Sequence, residues 1–318
     1  MVSIRPYQPA SDEAGVFGLW QETFGSTWPL TRDVFRQVTI GTGVYRDGDH
    51  FVAEERGAPV GFVATQADQS ASPPRAGHIS ALLVAPGRRR RGTGRALHDA
   101  AIMRLRETGV HQARLGGGDA YLWPGVPSTL APALNFFRVC GWSFAETSYD
   151  LVQDLHGYKT PPELYRRVVA QGVILDIGTQ GQAPELLAFV DREFPSWQAS
   201  YRSVAALGDY GDFLLARDQD RRVIGAVIMY SPRSHLQRID ARWKTLLGED
   251  AGAIGAAGVA ASERRRGVAH ALVARASEIV RDRGARQGFI GWAWMIGLYG
   301  ELGYRVWQEY TMGKRPVA

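Results

Sequence analysis

The residues best suited to chemistry lie in one short string that occurs twice. Val84-Ala-Pro-Gly-Arg-Arg-Arg-Arg-Gly92-Thr-Gly94-Arg-Ala-Leu97 returns as Val259-Ala-Ala-Ser-Glu-Arg-Arg-Arg-Gly267-Val-Ala269-His-Ala-Leu272. The offset is 175 throughout (84 to 259, 92 to 267, 97 to 272), without a gap. In each copy an apolar strand stops, an arginine-dense loop follows, and two small residues one apart open an amphipathic helix. The first helical turn exposes N–H groups and the positive end of the dipole, so it is a ready anion site. Small residues there keep side chains from holding a phosphate off the backbone, and arginines add charge-assisted hydrogen bonds. The ligand implied is a di- or polyphosphate. A single Gly-x-Gly would carry little weight; the whole string repeated at constant spacing carries much more. No regular βαβ alternation with a ribose-binding acid about 20 residues on accompanies it, which disfavours a dinucleotide fold.

Proton-moving candidates are sparser. His78 starts the strand leading to Val84 and shares a face with Ser80, Leu82 and Val84, and a histidine titrates near neutrality. Its match in the second copy is Ala253. Asp119 follows Gly116-Gly-Gly118 and, with Tyr121 and Trp123 beyond it, either faces a bound ligand or belongs to an ordinary solvated turn. The segment Tyr121–Pro127 and the pair Trp292 and Trp294 either shape a ligand pocket or brace the two domains. The seven histidines show no paired ligand spacing, so no metal is expected, and Cys140 between Val139 and Gly141 reads as packing.

The elements that must position these residues follow the same layout twice. Ser3–Tyr7, His50–Glu54, Pro59–Thr65 and His78–Val84 read as strands. A helix spans about 91–106, Gln112–Leu115 is a strand, a helix spans about 129–139, and a last strand lies near Ser148–Gln153. The second half has strands at Val173–Ile177, Phe213–Ala216, Val223–Tyr230 and Ala253–Val259, and a helix over about 266–281. Gln287–Trp292, a short helix and Arg305–Thr311 complete it. A period near one domain means a duplication, with units at 1–156 and 172–318 and a linker helix over 157–171. Thr160 is its expected cap, with proline in the first turn.

The 318-residue length suits two cores, and 45% hydrophobic with 22% charged residues is ordinary for a globular protein. The net charge of +5 is carried almost wholly by arginine, with lysine only at 159, 244 and 314. Short arginine runs without interleaved aromatics make a poor strand-binding surface, so no nucleic-acid partner is expected. One cysteine, no signal-length apolar start and no 18-residue apolar run point to a cytoplasmic protein that neither enters nor crosses a membrane.

The repeated string resembles the GNAT superfamily of N-acetyltransferases, whose signature is a strand ending Val-x-Pro and then Arg/Gln-x-x-Gly-x-Gly/Ala opening a helix. Val84, Pro86, Arg89, Gly92 and Gly94 match, as do Val259, Arg264, Gly267 and Ala269, while Ala261 replaces the proline. A later motif appears as Leu298-Tyr299-Gly-Glu-Leu-Gly303-Tyr304, against Phe136-Phe137-Arg-Val-Cys-Gly141-Trp142 in the first half. The resemblance implies an α/β (α+β) fold of two tandem GNAT-like domains, each a mixed, mostly antiparallel sheet flanked by helices. It implies acetyl-CoA as cofactor and acetyl transfer to a primary amine of a small molecule, such as an amino sugar or amino acid. The alternative is a non-catalytic acyl-CoA-binding or regulatory module. By the same resemblance Arg89, Arg90, Arg91, Gly92, Thr93 and Gly94 would hold the CoA pyrophosphate, as would Arg264, Arg265, Arg266, Gly267, Val268 and Ala269. Backbone of Leu82, Leu83 and Val84, and of Val259 with Gly258, would pair with the pantetheine arm and polarise the thioester. Tyr299 stands where the family places its acid; Phe137 has no proton to give. His78 and Asp119 remain candidate bases.

Overall fold

The computed structural model describes residues 2–41, 45–67, 76–118 and 121–317. The first half of the chain forms β1 (Ser3–Pro6), α1 (Pro9–Phe24), α2 (Arg32–Ile40), β2 (Phe51–Glu55), β3 (Ala58–Ala67) and β4 (Ala76–Val84). Then come α3 (Thr93–Glu107), β5 (Gln112–Leu115), β6 (Val126–Pro127), α4 (Ala131–Val139) and β7 (Ser143–Asp154). The second half forms α5 (Pro162–Val169), β8 (Ile174–Ile177), α6 (Ala183–Glu193), α7 (Gln198–Ala206), β9 (Phe213–Arg217) and β10 (Val223–Tyr230). It continues with α8 (Lys244–Leu247), β11 (Ala251–Val259), α9 (Val268–Asp282), β12 (Gln287–Ala293), α10 (Ile296–Gly300) and β13 (Arg305–Pro316).

Two compact units result: Met1–Ser148 with Glu309–Ala318, and Tyr149–Gln308. In the first, β1, β2, β3 and β4 pair antiparallel in that order, β4 pairs parallel with β5, and β5 pairs antiparallel with the end of β13. In the second, β8, β9, β10 and β11 pair antiparallel, β11 pairs parallel with β12, and β12 pairs antiparallel with residues 149–154 of β7. Each sheet is therefore mixed and mostly antiparallel, as expected. The expected boundaries at 156 and 172 differ from this division at both ends. Residues 149–154 complete the second sheet, and Tyr310, Thr311 and Lys314 to Pro316 pair within the first. Neither segment carries a clean alternation, residues 150–152 being buried in succession, so local pattern does not choose the partner.

The duplication is visible in the packing. α3 buries Leu97, Ala101, Ile102 and Leu105 against β3 and β4, and α9 buries Leu272, Ala276, Ile279 and Val280 against β10 and β11. Gly77 and Gly252 occupy the same place in β4 and β11. A Cβ at either would overlap the helix side chain above it, Leu105 or Val280. That close approach fixes the depth of each helix on its sheet. Every residue of β10 is buried, as a strand covered on both faces requires.

Among the described residues, five helices lie outside the sequence expectations, the four-residue α8 among them. α1 and α2 cover the first sheet, and Thr31 caps α2 by accepting from the Val34 N–H at 3.2 Å. α6 and α7 pack Leu186, Phe189, Tyr201 and Val204 against Phe213 and Leu215 of the second sheet. The linker helix forms, but Thr160 does not cap it. Pro161 takes that position, and Thr160 is fastened to α9 instead, its N–H donating to Glu278 at 3.2 Å and its hydroxyl to the Ala274 carbonyl at 3.4 Å.

Candidate active site

In both units the two parallel strands part company midway. β4 and β5 pair from Ala76 to Ile79, and β11 and β12 from Ala251 to Ala253, in the same register relative to the 175-residue offset. Beyond those points β4 and β11 pair only with their antiparallel neighbours, so Leu82, Leu83 and Val84 pair with Val63, Phe62 and Gly61, and Gly258 and Val259 with Ala226 and Gly225. At the same place each strand carries a bulge, at Ser80 in one and at Ala256–Ala257 in the other, Ala256 lying at φ 47°. Bulges re-aim a strand and recur beside active sites. The result is a wedge with backbone amides and carbonyls along one free edge.

The loops that follow are superimposable in their dihedrals. Arg89 and Arg264 lie at φ −69° and −68°, Arg90 and Arg265 at φ 61° and 64°, and Gly92 and Gly267 at φ 84° and 86°. A left-handed arginine costs roughly 1 kcal/mol. Alternation of backbone hand aims successive N–H groups at one concave side, the geometry of an anion nest. No side chain caps α3 or α9. Their first-turn donors, on Thr93 and Gly94 and on Val268 and Ala269, are thus left for an outside acceptor. The loop residues named from the sequence do come together at a bare helix start in each unit.

Within the loops the arginines divide by role. Arg89 Nε donates to the Val84 carbonyl at 3.0 Å, and Arg264 Nε to that of Val259 at 3.4 Å. These two fasten the loop to its strand. Arg90, Arg91 and Arg265 are exposed and stay available to an anion. Arg266 is engaged by the linker helix: its Nε donates to Gln171 Oε1 at 2.8 Å, while Gln171 Nε2 donates to the Arg266 carbonyl at 3.0 Å. Arg167 Nη2 donates to the Arg265 carbonyl at 3.3 Å, and its Cδ would lie 3.2 Å from a Cβ on Gly267. In the first unit nothing lies within 4 Å of the matching position on Gly92.

The candidate proton carriers fare differently. Tyr299 sits on α10 in the core of the second unit, 9% exposed, and burial raises its phenol above the ordinary value near 10. It therefore stays protonated at neutral pH. In the first unit Phe137 is buried against Trp142 and His98. His78 lies in the paired part of β4, with Nδ1 2.8 Å from the Gly116 carbonyl, so one nitrogen is committed to the glycine turn. Asp119 lies outside the described residues.

The aromatic segment of the first unit proves to be packing. Trp123 is 6% exposed, with Trp20, Phe24 and Trp28 rings 5.2–5.5 Å away. Ser80 and Ala81, at the bulge, border a cavity of only about 10 Å³ closed by Trp20, Phe35 and Leu122, among others. That is room for about one water. In the second unit the bulge is covered from α7, Tyr201 Oη donating to the Ala256 carbonyl at 2.9 Å. Phe194 and Trp197, stacked at 4.6 Å and half-buried, lie where a Cβ of Gly258 would be, and Trp294 at the end of β12 is 54% exposed.

Two residues the sequence reading missed are His98 and Asp150. His98 is fully buried on α3, held by Trp142 and Asp99. Asp150 is 1% exposed, and its Oδ1 accepts the Trp292 N–H at 2.9 Å. Comparison of the two copies was the available signal for His98, since Val273 stands at its repeat position. Among the described residues no cluster of three His, Cys, Asp or Glu is arranged to hold a metal, and no helix is long and apolar enough to cross a membrane.

Comparison with known proteins agrees with this geometry. The acetyltransferase (GNAT) family matches residues 16–142, and an acetyltransferase (GNAT) domain matches residues 184–307. A fungal structure, described as the GCN5-related glucosamine N-acetyltransferase region of a multi-domain GH3 β-N-acetylglucosaminidase, is similar at TM-score 0.92 and 32% identity. The similarity takes in 99% of this chain and 38% of that one, so this chain spans well under half of that relative. A GCN5-related N-acetyltransferase from Sphaerobacter thermophilus shares the fold at TM-score 0.72 and 15% identity, over 99% of this chain and 96% of the other. A tandem GNAT protein from the clavulanic acid biosynthesis pathway does so at 0.67 and 17%, over 100% and 99%. No curated protein sequence matches. Two bare helix starts, two splayed strand pairs and two family matches in one chain place it in the GNAT acetyltransferase family, with two of its domains in tandem.

Proposed function

We propose that the chain is an acetyl-CoA-dependent N-acetyltransferase acting on the primary amine of a small molecule, an amino sugar by preference, and that the second unit does the chemistry. The observation that carries this is the combination, in that one unit, of an uncapped helix start, a wedge between β11 and β12, and a protonated phenol on α10. The relative described as a glucosamine N-acetyltransferase supports the acceptor class. A cytoplasmic setting fits the single free cysteine.

Acetyl-CoA supplies an activated acyl group when bound. Its phosphates fit the amides of Arg265 to Ala269 and the exposed Arg265 guanidinium. The free edge of Gly258 and Val259 offers backbone donors and acceptors to an extended amide-bearing arm and to a carbonyl that gains charge. Tyr299 Oη, a phenol and so protonated at neutral pH, carries a proton for the departing thiolate. The first unit has the same loop geometry but Phe137 in place of a phenol. It serves as a cofactor-binding or structural partner.

The test is release of free CoA with glucosamine as acceptor, together with calorimetric acetyl-CoA stoichiometry. Tyr299→Phe is expected to lower kcat by about 10²-fold with acetyl-CoA affinity retained. Full activity of that variant moves the acid elsewhere. Acetyl-CoA binding without turnover on any amine would establish the regulatory-module alternative.

A further inference from the structure

The end of β12 has a backbone that its own repeat does not need. β5 and β12 meet their parallel neighbours in the same register, Ala76 with Gln112 and Ala251 with Gln287, so Gly116-Gly117 in the first unit corresponds to Gly291-Trp292 in the second. Gly117 lies at φ 68° and Trp292 at φ 53°. Glycine adopts that conformation freely, whereas a bulky side chain there is a true outlier. The turn itself asks for glycine, so the indole is retained for something other than the fold.

The strained position is also locked. Trp292 N–H donates to Asp150 Oδ1 at 2.9 Å, and that carboxylate is buried. A Cβ on Gly291 would lie 3.3 Å from the same oxygen. Asp150 sits where the β7–β12 ladder slips, between the pairs Leu151–Ile290 and Tyr149–Ala293. Two residues on, Trp294, Met295 and Ile296 are 54%, 57% and 43% exposed, an uninterrupted apolar stretch. The Trp292 and Trp294 rings lie 6.0 Å apart at 47°. This tip projects past the last β11–β12 pair, and α10, which carries Tyr299, begins at Ile296. In the first unit Gly117 stands at the position of Trp292, and the aromatic that follows the turn, Trp123, is buried.

We propose that Trp292 and Trp294 form the acceptor platform of the second unit, on which the pyranose ring of an amino sugar stacks, and that Asp150 is the positioning residue that locks the platform. The inference rests on the N-acetyltransferase reading above. A pyranose presents a face of C–H groups to an aromatic ring while its hydroxyls stay in water, and its ammonium is drawn to the ring face. An acyclic amine offers the ammonium but no such face. The platform therefore selects the ring, and Tyr299 lies one helical turn beyond it.

The experiment compares glucosamine with 2-aminoethanol as acceptors for the full chain, wild type and Trp294→Ala, following CoA release. The glucosamine KM is expected to rise about tenfold, and the ratio of kcat/KM for glucosamine to that for 2-aminoethanol to fall by a similar factor. Trp294→Phe should recover most of the ratio. Trp292→Gly, whose backbone suits glycine, should lower the ratio in a chain that melts as the wild type does. An unchanged glucosamine KM in a folded Trp294→Ala overturns the platform while leaving acetyl transfer standing. Wild-type turnover of other amines but not of glucosamine does the same. No CoA release with any amine overturns both. A wild-type dimer that Trp294→Ala converts to monomer, with the glucosamine KM unmoved, makes this surface a contact between copies instead.

Discussion

His50 and His98 show how single side chains set the acid limit of the first unit. His50 Nδ1 accepts the Thr65 N–H at 3.2 Å, so Nε2 carries the proton toward the Thr39 carbonyl at 2.6 Å. His98 Nε2 accepts from Trp142 at 3.0 Å, so Nδ1 carries the proton toward Asp99 at 2.9 Å. Both rings are neutral, and burial lowers both pKa values below the ordinary 6.5. The unfolded chain then binds more protons than the folded one below that pH. Their contribution is complete above about pH 6.5 and is lost as the pH falls through the window down to the folded values, at about 1.4 kcal/mol per unit of depression. The melting temperature should drop between pH 7 and pH 5, before the salt-bridged carboxylates of Asp12 and Glu13, held low by Arg5 and Arg36, begin to protonate. A melting temperature constant over that range would refute the neutral tautomers. At this scale the loop glycines and Tyr299 were legible because a spacing pattern marks them. His98 and Asp150 carry no local pattern: a lone histidine on a helix and an aspartate in a strand acquire meaning only from distant partners, Trp142 and Trp292.

Among the elements, α5 and the turn that follows it change the second cofactor loop relative to the first. Arg167 and Gln171 contribute three hydrogen bonds to the Arg265–Arg266 backbone and the Arg266 side chain. They hold two residues of a strained loop in the shape that aims its amides, so less is lost to ordering when a phosphate arrives. Arg167→Ala combined with Gln171→Ala should weaken acetyl-CoA binding to the second unit by about tenfold in calorimetry, from roughly 1.4 kcal/mol of lost preorganisation. The same isotherm as wild type would show that the loop keeps its shape unaided. The sequence announced α5 as a helix but not its task, because side-chain reach across 95 residues leaves no periodic trace. α1, α2, α6 and α7 escaped for a related reason: they precede no motif, and their apolar faces are defined by the sheets they cover.

At the scale of the molecule, the division of the chain follows its last strand. Tyr310 is fully buried in the first unit, Val317 is 3% exposed, and Arg315 donates to the Cys140 carbonyl at 2.7 Å. Losing one buried aromatic side chain costs about 3–5 kcal/mol, against a typical total of about 5–15 for a domain. Deleting residues 309–318 should therefore abolish the first unit's cooperative melting transition and leave that of residues 149–308. Two retained transitions would show that the first unit does not depend on this strand. Strand identity was visible in the sequence; strand partnership was not, since pairing energy is similar for any fitting edge.

That borrowed strand also imposes an order on biosynthesis. Domains usually close in the order in which they leave the ribosome, at about 5–20 residues per second. Here residue 148 ends the first unit's opening segment, and its remaining piece starts at residue 309, with 160 residues between them. The earlier-made unit must wait roughly 8–30 s with β5 uncovered, while the later-made unit is one continuous stretch that ends at residue 308. During translation the nascent chain exposes an open sheet edge for that interval, the period in which a chaperone or a neighbouring nascent chain could engage it.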